Sequence, residues 1–259
     1  MDQVTVDQDG QVAIVRFGNP PEGFIANKGA AQLLAAFDAL LADDAVRAII
    51  LSGGQDGVFI RHAEVGQIER AGQAMASGRI DSCAFVNSPF VRLGALLDAA
   101  EKPVIAAIDG LCMGGGFEIA LACTVRIAGD GAIAIGLPEI RIDIFPGGGG
   151  TQRLARLIGA HQARLFMLQG RVVDAHGALA LGLVDEVVPN ALSRATELAR
   201  ELAARHPDAV SAIMRLTCPG PADRFDEEAA TFAGLVERQE VQDRLRRFIE
   251  TGERLDALD

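Results

Sequence analysis

The sequence lacks the features of several common protein classes. No apolar run is long enough to span a bilayer, and residues 1–6 have neither a charged n-region nor an apolar h-region. We therefore expect no signal peptide and no membrane segment. Basic residues are scarce, because 24 Lys and Arg stand against 35 Asp and Glu, for a formal net charge of -11. A surface of that sign repels nucleic acid phosphates and anionic lipid, so we expect neither as a partner.

The chain also lacks the common sequence signatures of cofactor and nucleophile chemistry. It contains no Gly-x-x-x-x-Gly-Lys-Ser/Thr phosphate loop, no Gly-x-Gly-x-x-Gly fingerprint and no Gly-x-Ser-x-Gly elbow. The spacing of its four cysteines fits no zinc pattern, and a chain of 259 residues does not need disulfides. We predict reduced thiols in a cytoplasmic protein with no metal site and no redox cofactor. The cysteines are Cys83, Cys112, Cys123 and Cys218.

What the sequence does contain is a series of buried-type strands alternating with helical patterns, which predicts an α/β fold. A helix is predicted over residues 29–43. Two strands are predicted around the turn dipeptide Asp9-Gly10 within residues 4–17. Further strands are predicted at residues 46–51, 103–108, 124–128, 133–135 and 183–188.

The pattern changes after Pro189. Residues 192–205 and 227–249 are amphipathic, rich in Ala, Arg and Glu, and without a strand signal. We therefore predict a core over residues 1–190 and a helical region over residues 191–259. A helical region with apolar faces often packs on a partner subunit, so we expect it to support oligomerisation.

Two glycine runs and two carboxylates lie together between residues 108 and 154. Gly114, Gly115 and Gly116 follow a strand-like run and precede a helical pattern. Bare backbone N–H groups at a helix N-terminus attract an anion or a developing oxyanion. Glu118 lies two residues after Gly116, and Glu139 comes later in the chain, directly after Pro138. An anion hole flanked by two acid/base groups suits chemistry next to a carbonyl.

Each of these features also has a structural interpretation. Glu118 could complement a helix dipole, which is a common role for Glu in a first turn. Glu139 could be a solvated loop carboxylate, and the second glycine run, residues 147–150, could only shape the turn into the next helix. The residues alone leave these alternatives open.

The chain resembles the enoyl-CoA hydratase/isomerase (crotonase) superfamily over nearly its whole length. The resemblance is carried by three segments: AAIDGLCMGGGFEIALAC at residues 106–123, GLPEI at 136–140 and PGGGGTQRL at 146–154. It implies a crotonase-like spiral of ββα units with a C-terminal helical trimerisation region. It also implies an acyl-CoA thioester substrate and a homotrimer or dimer of trimers. CoA would then be part of the substrate, and no separate cofactor is expected.

The resemblance further implies roles for individual residues. The oxyanion hole would consist of the backbone N–H groups of Gly115 and Ala63, and Glu118 and Glu139 would be catalytic. Ala63 comes from the loop FIRHAE at residues 59–64, in which Arg61 and His62 replace the usual alanine and glycine. Other residues expected at the substrate are Phe59, Arg61, His62, Gly114, Gly116 and Pro138.

These roles lead to three hypotheses of function. The first is an enoyl-CoA hydratase, in which Glu118 activates water and Glu139 supplies the α-proton through an oxyanion-stabilised enolate. The second is an isomerase, or another lyase or hydrolase of the same superfamily. The third, prompted by Arg61 and His62, is an acyl-CoA-binding homologue without turnover.

Overall fold

The computed structural model describes residues 2–81, 83–218 and 225–255, and their ten strands form two sheets. The larger sheet has the strand order β1-β2-β3-β5-β7-β10, parallel except for the β1–β2 hairpin. The smaller has the order β4-β6-β8-β9, and only β9 is antiparallel. The strands are β1 (Val4–Asp9), β2 (Val12–Phe17), β3 (Ala48–Gly53), β4 (Val58–Ile60), β5 (Val104–Ile108), β6 (Leu111–Met113), β7 (Val125–Gly129), β8 (Ala134–Gly136), β9 (Val172–Val173) and β10 (Glu186–Val188).

Helices connect and cover the strands. They are α1 (Asn27–Ala42), α2 (Val65–Ala76), α3 (Cys83–Val86), α4 (Pro89–Asp98), α5 (Gly115–Ala122), α6 (Gly150–Ile158), α7 (Ala160–Leu168), α8 (Ala175–Ala180), α9 (Ala191–Ala203), α10 (Pro207–Thr217), α11 (Phe225–Val236) and α12 (Gln239–Thr251). A 3-10 helix spans Glu139–Ile142. Side-chain N-caps define where three of these helices begin. Ser88, Asp174 and Asn190 each accept a hydrogen bond from a backbone N–H at the N-terminus of α4, α8 and α9, respectively.

Strands β3 to β8 form three successive pairs, each of which contributes one strand to each sheet. The pairs β3–β4, β5–β6 and β7–β8 each place their first strand in the larger sheet and their second in the smaller one. A helix follows each pair, α2 after the first and α5 after the second, whereas the third pair leads into the 3-10 helix and then α6. This repeated ββα arrangement brings the ends of β4, β6 and β8 to one edge.

The main hydrophobic core lies between the sheets and the helices α1, α4 and α5. Strands β3 and β5 are buried along nearly their whole length, which explains their continuous apolar sequences. The C-terminal helices pack on the same chain. Alanines of α9 cover the larger sheet, and apolar residues of α11 and α12 form a cluster with Val65, Met75 and Ile144.

The predicted elements are largely confirmed, with three differences. Strands β4, β6 and β9 were not predicted, because runs of two or three residues give little periodicity. The strand predicted at residues 183–188 is confined to β10, since Leu183 and Val184 lie in a bend and bury their side chains in the core. The pattern at residues 227–249 is two helices, because α11 ends at Val236 and α12 begins at Gln239. Within the described ranges, no helix is both long and apolar enough to cross a bilayer.

Candidate active site

The candidate active site lies where three parallel strands of the smaller sheet end. Strand β4 leads into Arg61-His62-Ala63, β6 into the glycine triplet, and β8 into Pro138-Glu139. Parallel strands end at the same edge of a sheet, so three segments that are distant in sequence meet there. Hydrogen bonds join them, from Met113 N to Arg61 O at 2.9 Å and from Gly114 N to Gly136 O at 2.9 Å.

At two positions of the triplet, the backbone geometry permits only glycine without strain. Gly114 has a φ of 49°, in the region that favours glycine, and it turns the chain from β6 into α5. Gly116 packs against β4 so closely that a Cβ would lie 1.9 Å from the carbonyl oxygen of Ile60. Together they allow α5 to begin at Gly115, next to the end of β4.

The backbone nitrogen of Ala63 lies close to Gly115. A Cβ built on Gly115 would be 3.2 Å from Ala63 N. Ala63 forms a parallel bridge with Ile25, whose bonds run from Ile25 N to His62 O and from Glu64 N to Ile25 O. In such a bridge the N–H of Ala63 itself points to the opposite side. Gly115 precedes the first helical bond of α5, from Glu118 N to Gly114 O, so its N–H is an N-terminal donor without an intrahelical acceptor.

His62 fits this loop without the conformation of a glycine. Asp143 is the one non-glycine residue in the described ranges with a positive φ, so His62 has an ordinary backbone. Its ring stacks on Phe24 with centroids 4.5 Å apart, and Nδ1 lies 2.8 Å from Ala63 O. The side chain is buried and lines the cavity described below. Its packing therefore helps to hold the loop that carries Ala63.

Glu118 is buried at the start of α5 and is held by a different loop. Its Oε1 accepts hydrogen bonds from Gly148 N at 2.8 Å and Gly150 N at 2.9 Å. Burial raises the pKa of Glu118, while these N–H groups and the nearby Arg153 oppose the rise. The two donors stabilise the ionised form. The second glycine run therefore holds a carboxylate, which goes beyond shaping a turn.

Glu139 lines the same small cavity as Glu118 but has a contrasting environment. The residue is 7% exposed, and neither carboxylate oxygen has a hydrogen-bond partner among the described residues. Burial raises the pKa of Glu139 well above its usual value, and the charge of Glu118 raises it further. The solvated-loop interpretation of Glu139 is therefore wrong. A buried carboxyl without donors is stabilised in its protonated form.

A small cavity joins these groups. It has a volume of about 40 Å³ and is lined by both carboxylates and the two converging backbone segments, as well as by apolar side chains. A mainly apolar groove of about 190 Å³ continues from it, and Ala63, Glu118 and Phe232 line both. A larger cleft of about 600 Å³ next to Lys102 and Arg205 contains neither carboxylate. The chemistry of the residues therefore favours the smaller cavity as the site.

Four residues expected at the substrate have other positions. Phe59 is fully buried in the main core, because β4 turns its side chain away from the cavity. Arg61 lies outside the lining, where its guanidinium is 2.9 Å from Glu22 and stacks over Phe24 at 5.3 Å. Gly116 packs on Ile60, and Pro138 is a buried residue that begins the 3-10 helix. These four position the site, and the structure gives no support for their direct contact with substrate.

Comparison with known proteins supports the resemblance. The family model for enoyl-CoA hydratase/isomerase matches residues 7–254. This chain belongs to the enoyl-CoA hydratase/isomerase family. A fatty acid oxidation complex subunit alpha of Idiomarina loihiensis is 35% identical over 192 residues, which are 71% of this chain and 26% of that protein. The family segment thus corresponds to about a quarter of this relative.

Solved structures of the enoyl-CoA hydratase/isomerase family share the fold. An enoyl-CoA hydratase from Bacillus anthracis is 28% identical, with a TM-score of 0.76 over 96% of each chain. An enoyl-CoA hydratase/isomerase from Mycobacterium paratuberculosis has a TM-score of 0.85 over 95% of this chain and 98% of its own, at 17% identity. At this identity, the likeness to the Mycobacterium paratuberculosis structure shows a shared fold and nothing more.

One buried carboxylate near the site of this family member was not predicted. Glu228 of α11 is 7% exposed and accepts hydrogen bonds from Gly149 N and the Thr151 hydroxyl. In the sequence it belongs to the acidic run Asp226-Glu227-Glu228, which resembles a solvated helix face. Phe232, one turn later, lines the cavity, and its helical spacing from Glu228 is the only sequence signal that could have found the pair.

Proposed function

We propose that this protein is an enoyl-CoA hydratase, which adds water across the α,β double bond of an enoyl-CoA thioester. The main support is the contrast between two buried carboxylates on one cavity. Glu118 accepts two backbone hydrogen bonds, whereas Glu139 accepts none within the described residues. Hydration needs a base for water and an acid for the α-carbon, and two such environments separate the pKa values of the pair.

The thioester oxygen would bind at the N–H groups of Ala63 and Gly115. The proximity of Ala63 N to Gly115, together with the position of Gly115 at the helix N-terminus, supports this placement. Attack at the β-carbon moves negative charge onto the thioester oxygen, and both donors would stabilise the resulting enolate. One such donor typically lowers the barrier by about 2.7–4 kcal/mol.

The carboxylates would then divide the two proton transfers. Ionised Glu118, held by Gly148 N and Gly150 N, removes a proton from water as the oxygen attacks the β-carbon. Protonated Glu139 delivers its proton to the α-carbon of the enolate. Afterwards the proton on Glu118 must return to Glu139, which exchange with water allows. These steps use only carboxyl groups and backbone donors, so the reaction as proposed needs no metal or redox cofactor.

The apolar groove would hold the acyl chain. Ile25, Ile68 and Val91 line it, and the rings of Phe85 and Phe90 contribute further apolar surface. Its volume of about 190 Å³ is modest, which favours a short acyl chain.

The test is the loss of absorbance of a conjugated enoyl-thioester with a short-chain enoyl-CoA. We expect Glu118→Gln and Glu139→Gln each to lower kcat by at least about 100-fold, because each removes a required proton transfer. Glu250→Gln, at an exposed position on α12, is the matched control and should retain wild-type activity. If neither substitution at the cavity lowers the rate, the assigned roles are wrong.

The same variants separate hydration from the other hypotheses. Double-bond isomerisation can proceed with a single carboxylate that removes and returns one proton. A Glu118→Gln protein that still isomerises a 3-enoyl-CoA would favour an isomerase. Tight binding of CoA esters by calorimetry, without product from a panel of thioesters, would instead favour a binding protein without turnover.

A further inference from the structure

Glu228 is a buried carboxylate that the proposed mechanism does not use. It lies on α11 and is absent from the linings of both the cavity and the groove. Phe232, on the same face of this helix, does line them, and a Cβ on Gly147 would lie 2.4 Å from its ring. Glu228 therefore contacts the glycine loop from behind, on the side away from the substrate.

Glu118 and Glu228 share one run of backbone donors. Gly148 N and Gly150 N donate to Glu118 Oε1 at 2.8 and 2.9 Å. The N–H between them, that of Gly149, donates to Glu228 Oε1, and Thr151 Oγ1 bonds Glu228 Oε2. Three successive N–H groups thus alternate between two carboxylates on opposite sides of the loop.

We propose that Glu228 is a positioning residue: it fixes the loop that holds Glu118, and it belongs to a buried cluster of three carboxyl groups, with Glu118 and Glu139, whose charges act on one another. The inference rests on the proposed hydratase function for its kinetic consequences. Because Gly149 N is bound by Glu228, the neighbouring N–H groups are held toward Glu118. A substrate-contacting role does not fit, since the loop separates Glu228 from the cavity.

The charged groups around Glu228 determine the direction of the effect. The ionisable groups coupled to its charge are Glu118 of α5, Glu139 of the 3-10 helix and Arg153 of α6, and the uncharged Gln152 of α6 lies beside it. Burial and the charge of Glu118 raise the pKa of Glu228 to about 8, although Arg153 and the hydrogen bonds oppose the rise. Glu228 is therefore mostly neutral at pH 7 and ionises in mild alkali, where its charge raises the pKa of Glu139. Glu139 then keeps its proton to a higher pH.

Three variants separate charge from position. Glu228→Gln keeps a carbonyl oxygen for Gly149 N and an amide for Thr151, but it cannot ionise. Glu228→Leu removes both the hydrogen bonds and the charge. Thr151→Val removes one partner and leaves the carboxyl in place. Glu237→Gln, just after α11 and exposed, is the matched control.

The kinetic readout is kcat and KM for a short-chain enoyl-CoA from pH 5 to 10. We expect Glu228→Gln to retain kcat within about twofold at pH 6–7, with its alkaline decline shifted to lower pH. Glu228→Leu should lower kcat by roughly tenfold or more at every pH, with KM changed by less than about threefold. Thr151→Val should fall between them, and the control should follow the wild type.

A second readout needs no turnover. Carboxyl-carbon NMR of the protein labelled in glutamate, assigned through the Glu139→Gln spectrum, follows the titration of Glu139 directly. Its pKa should be lower in Glu228→Gln than in the wild type. An unchanged Glu139 titration together with an unchanged alkaline decline would overturn the inference while leaving the hydratase proposal intact. If the wild type hydrates no enoyl-CoA, the proposed function fails, and the NMR titration still decides the role of Glu228.

Discussion

Glu118 and Glu139 line the same small cavity but differ in hydrogen bonding. Oε1 of Glu118 accepts two backbone hydrogen bonds, whereas both oxygens of Glu139 lack a partner in the described part of the chain. Of the two, Glu118 is thus better stabilised as a carboxylate and Glu139 as a carboxylic acid. This difference has consequences for both reactivity and stability.

The first prediction concerns stability and pH. Burial raises the folded-state pKa of Glu139, so the folded protein binds its proton more tightly than the unfolded chain. The resulting stability is fully present below the unfolded pKa of about 4.3 and is lost as the pH rises toward the folded pKa, at up to about 1.4 kcal/mol per pH unit. Glu139→Gln should therefore gain stability relative to the wild type as pH increases. Thermal unfolding from pH 4 to 9 measures this, with Glu250→Gln expected to track the wild type throughout.

The second prediction concerns Gly114. Its φ of 49° disfavours other residues, and a Cβ would lie 3.3 Å from Glu139 Oε1. We expect Gly114→Ala to lower the free energy of unfolding by about 1–2 kcal/mol and to lower kcat more than it raises KM. Gly131→Ala, where a Cβ meets no atom within 4 Å, is the control. Equal effects of the two substitutions on kcat would contradict a special role of the Gly114 turn.

The third prediction concerns the buried pair of Arg153 and Asp98. The Arg153 Nη2 to Asp98 Oδ2 distance is 2.7 Å, with side chains 4% and 12% exposed, and Nη1 of Arg153 donates to Gly148 O. Asp98→Asn leaves a buried guanidinium without its counter-ion, so we expect a loss of about 3–5 kcal/mol in urea unfolding. Asp9→Asn, in the exposed pair with Arg200, should cost no more than about 1 kcal/mol. Similar losses in both variants would show that burial does not strengthen the Arg153 pair.

The fourth prediction concerns assembly, since the family resemblance implies trimers or dimers of trimers. Two apolar side chains of α10 are exposed in the single chain, Ile213 at 63% and Leu216 at 80%. We expect light scattering to give a mass about three or six times that of the 27.2 kDa chain, and Leu216→Glu to reduce it. Leu168→Glu, at an exposed position on α7 outside the C-terminal region, should leave the mass unchanged. If Leu168→Glu lowered the mass and Leu216→Glu did not, the subunit interface would lie within residues 1–190.

Local signals predicted much of the fold and the central part of the site. Alternating apolar runs and turn dipeptides predicted the hairpin of β1 and β2, the buried strands β3 and β5 and the helix α1. The spacing of Glu118 behind the glycine triplet follows directly from the sequence, and so does its place in the first turn of α5. These features depend on neighbours within a few residues of each other.

The remaining features depend on contacts between distant segments. The position of Phe59 is decided by which side of β4 faces the core, and a strand of three residues buried throughout gives no alternation from which to predict it. The role of Glu228 depends on a hydrogen bond to Gly149, 79 residues away. No local pattern distinguishes such a residue from a solvated acidic side chain on the same helix.

Each residue of the proposed reaction lies on a separate connection of the smaller sheet. The segment after β4 carries Ala63, the one after β6 carries Gly115 and Glu118, and the one after β8 carries Glu139. A change in one connection need not disturb the strand pairing beneath the other two. Under the proposed mechanism, the acid of the β8 connection could therefore be replaced, by natural variation or by engineering, while the proposed oxyanion donors are retained. Such a scaffold can acquire a new reaction by exchanging a single loop.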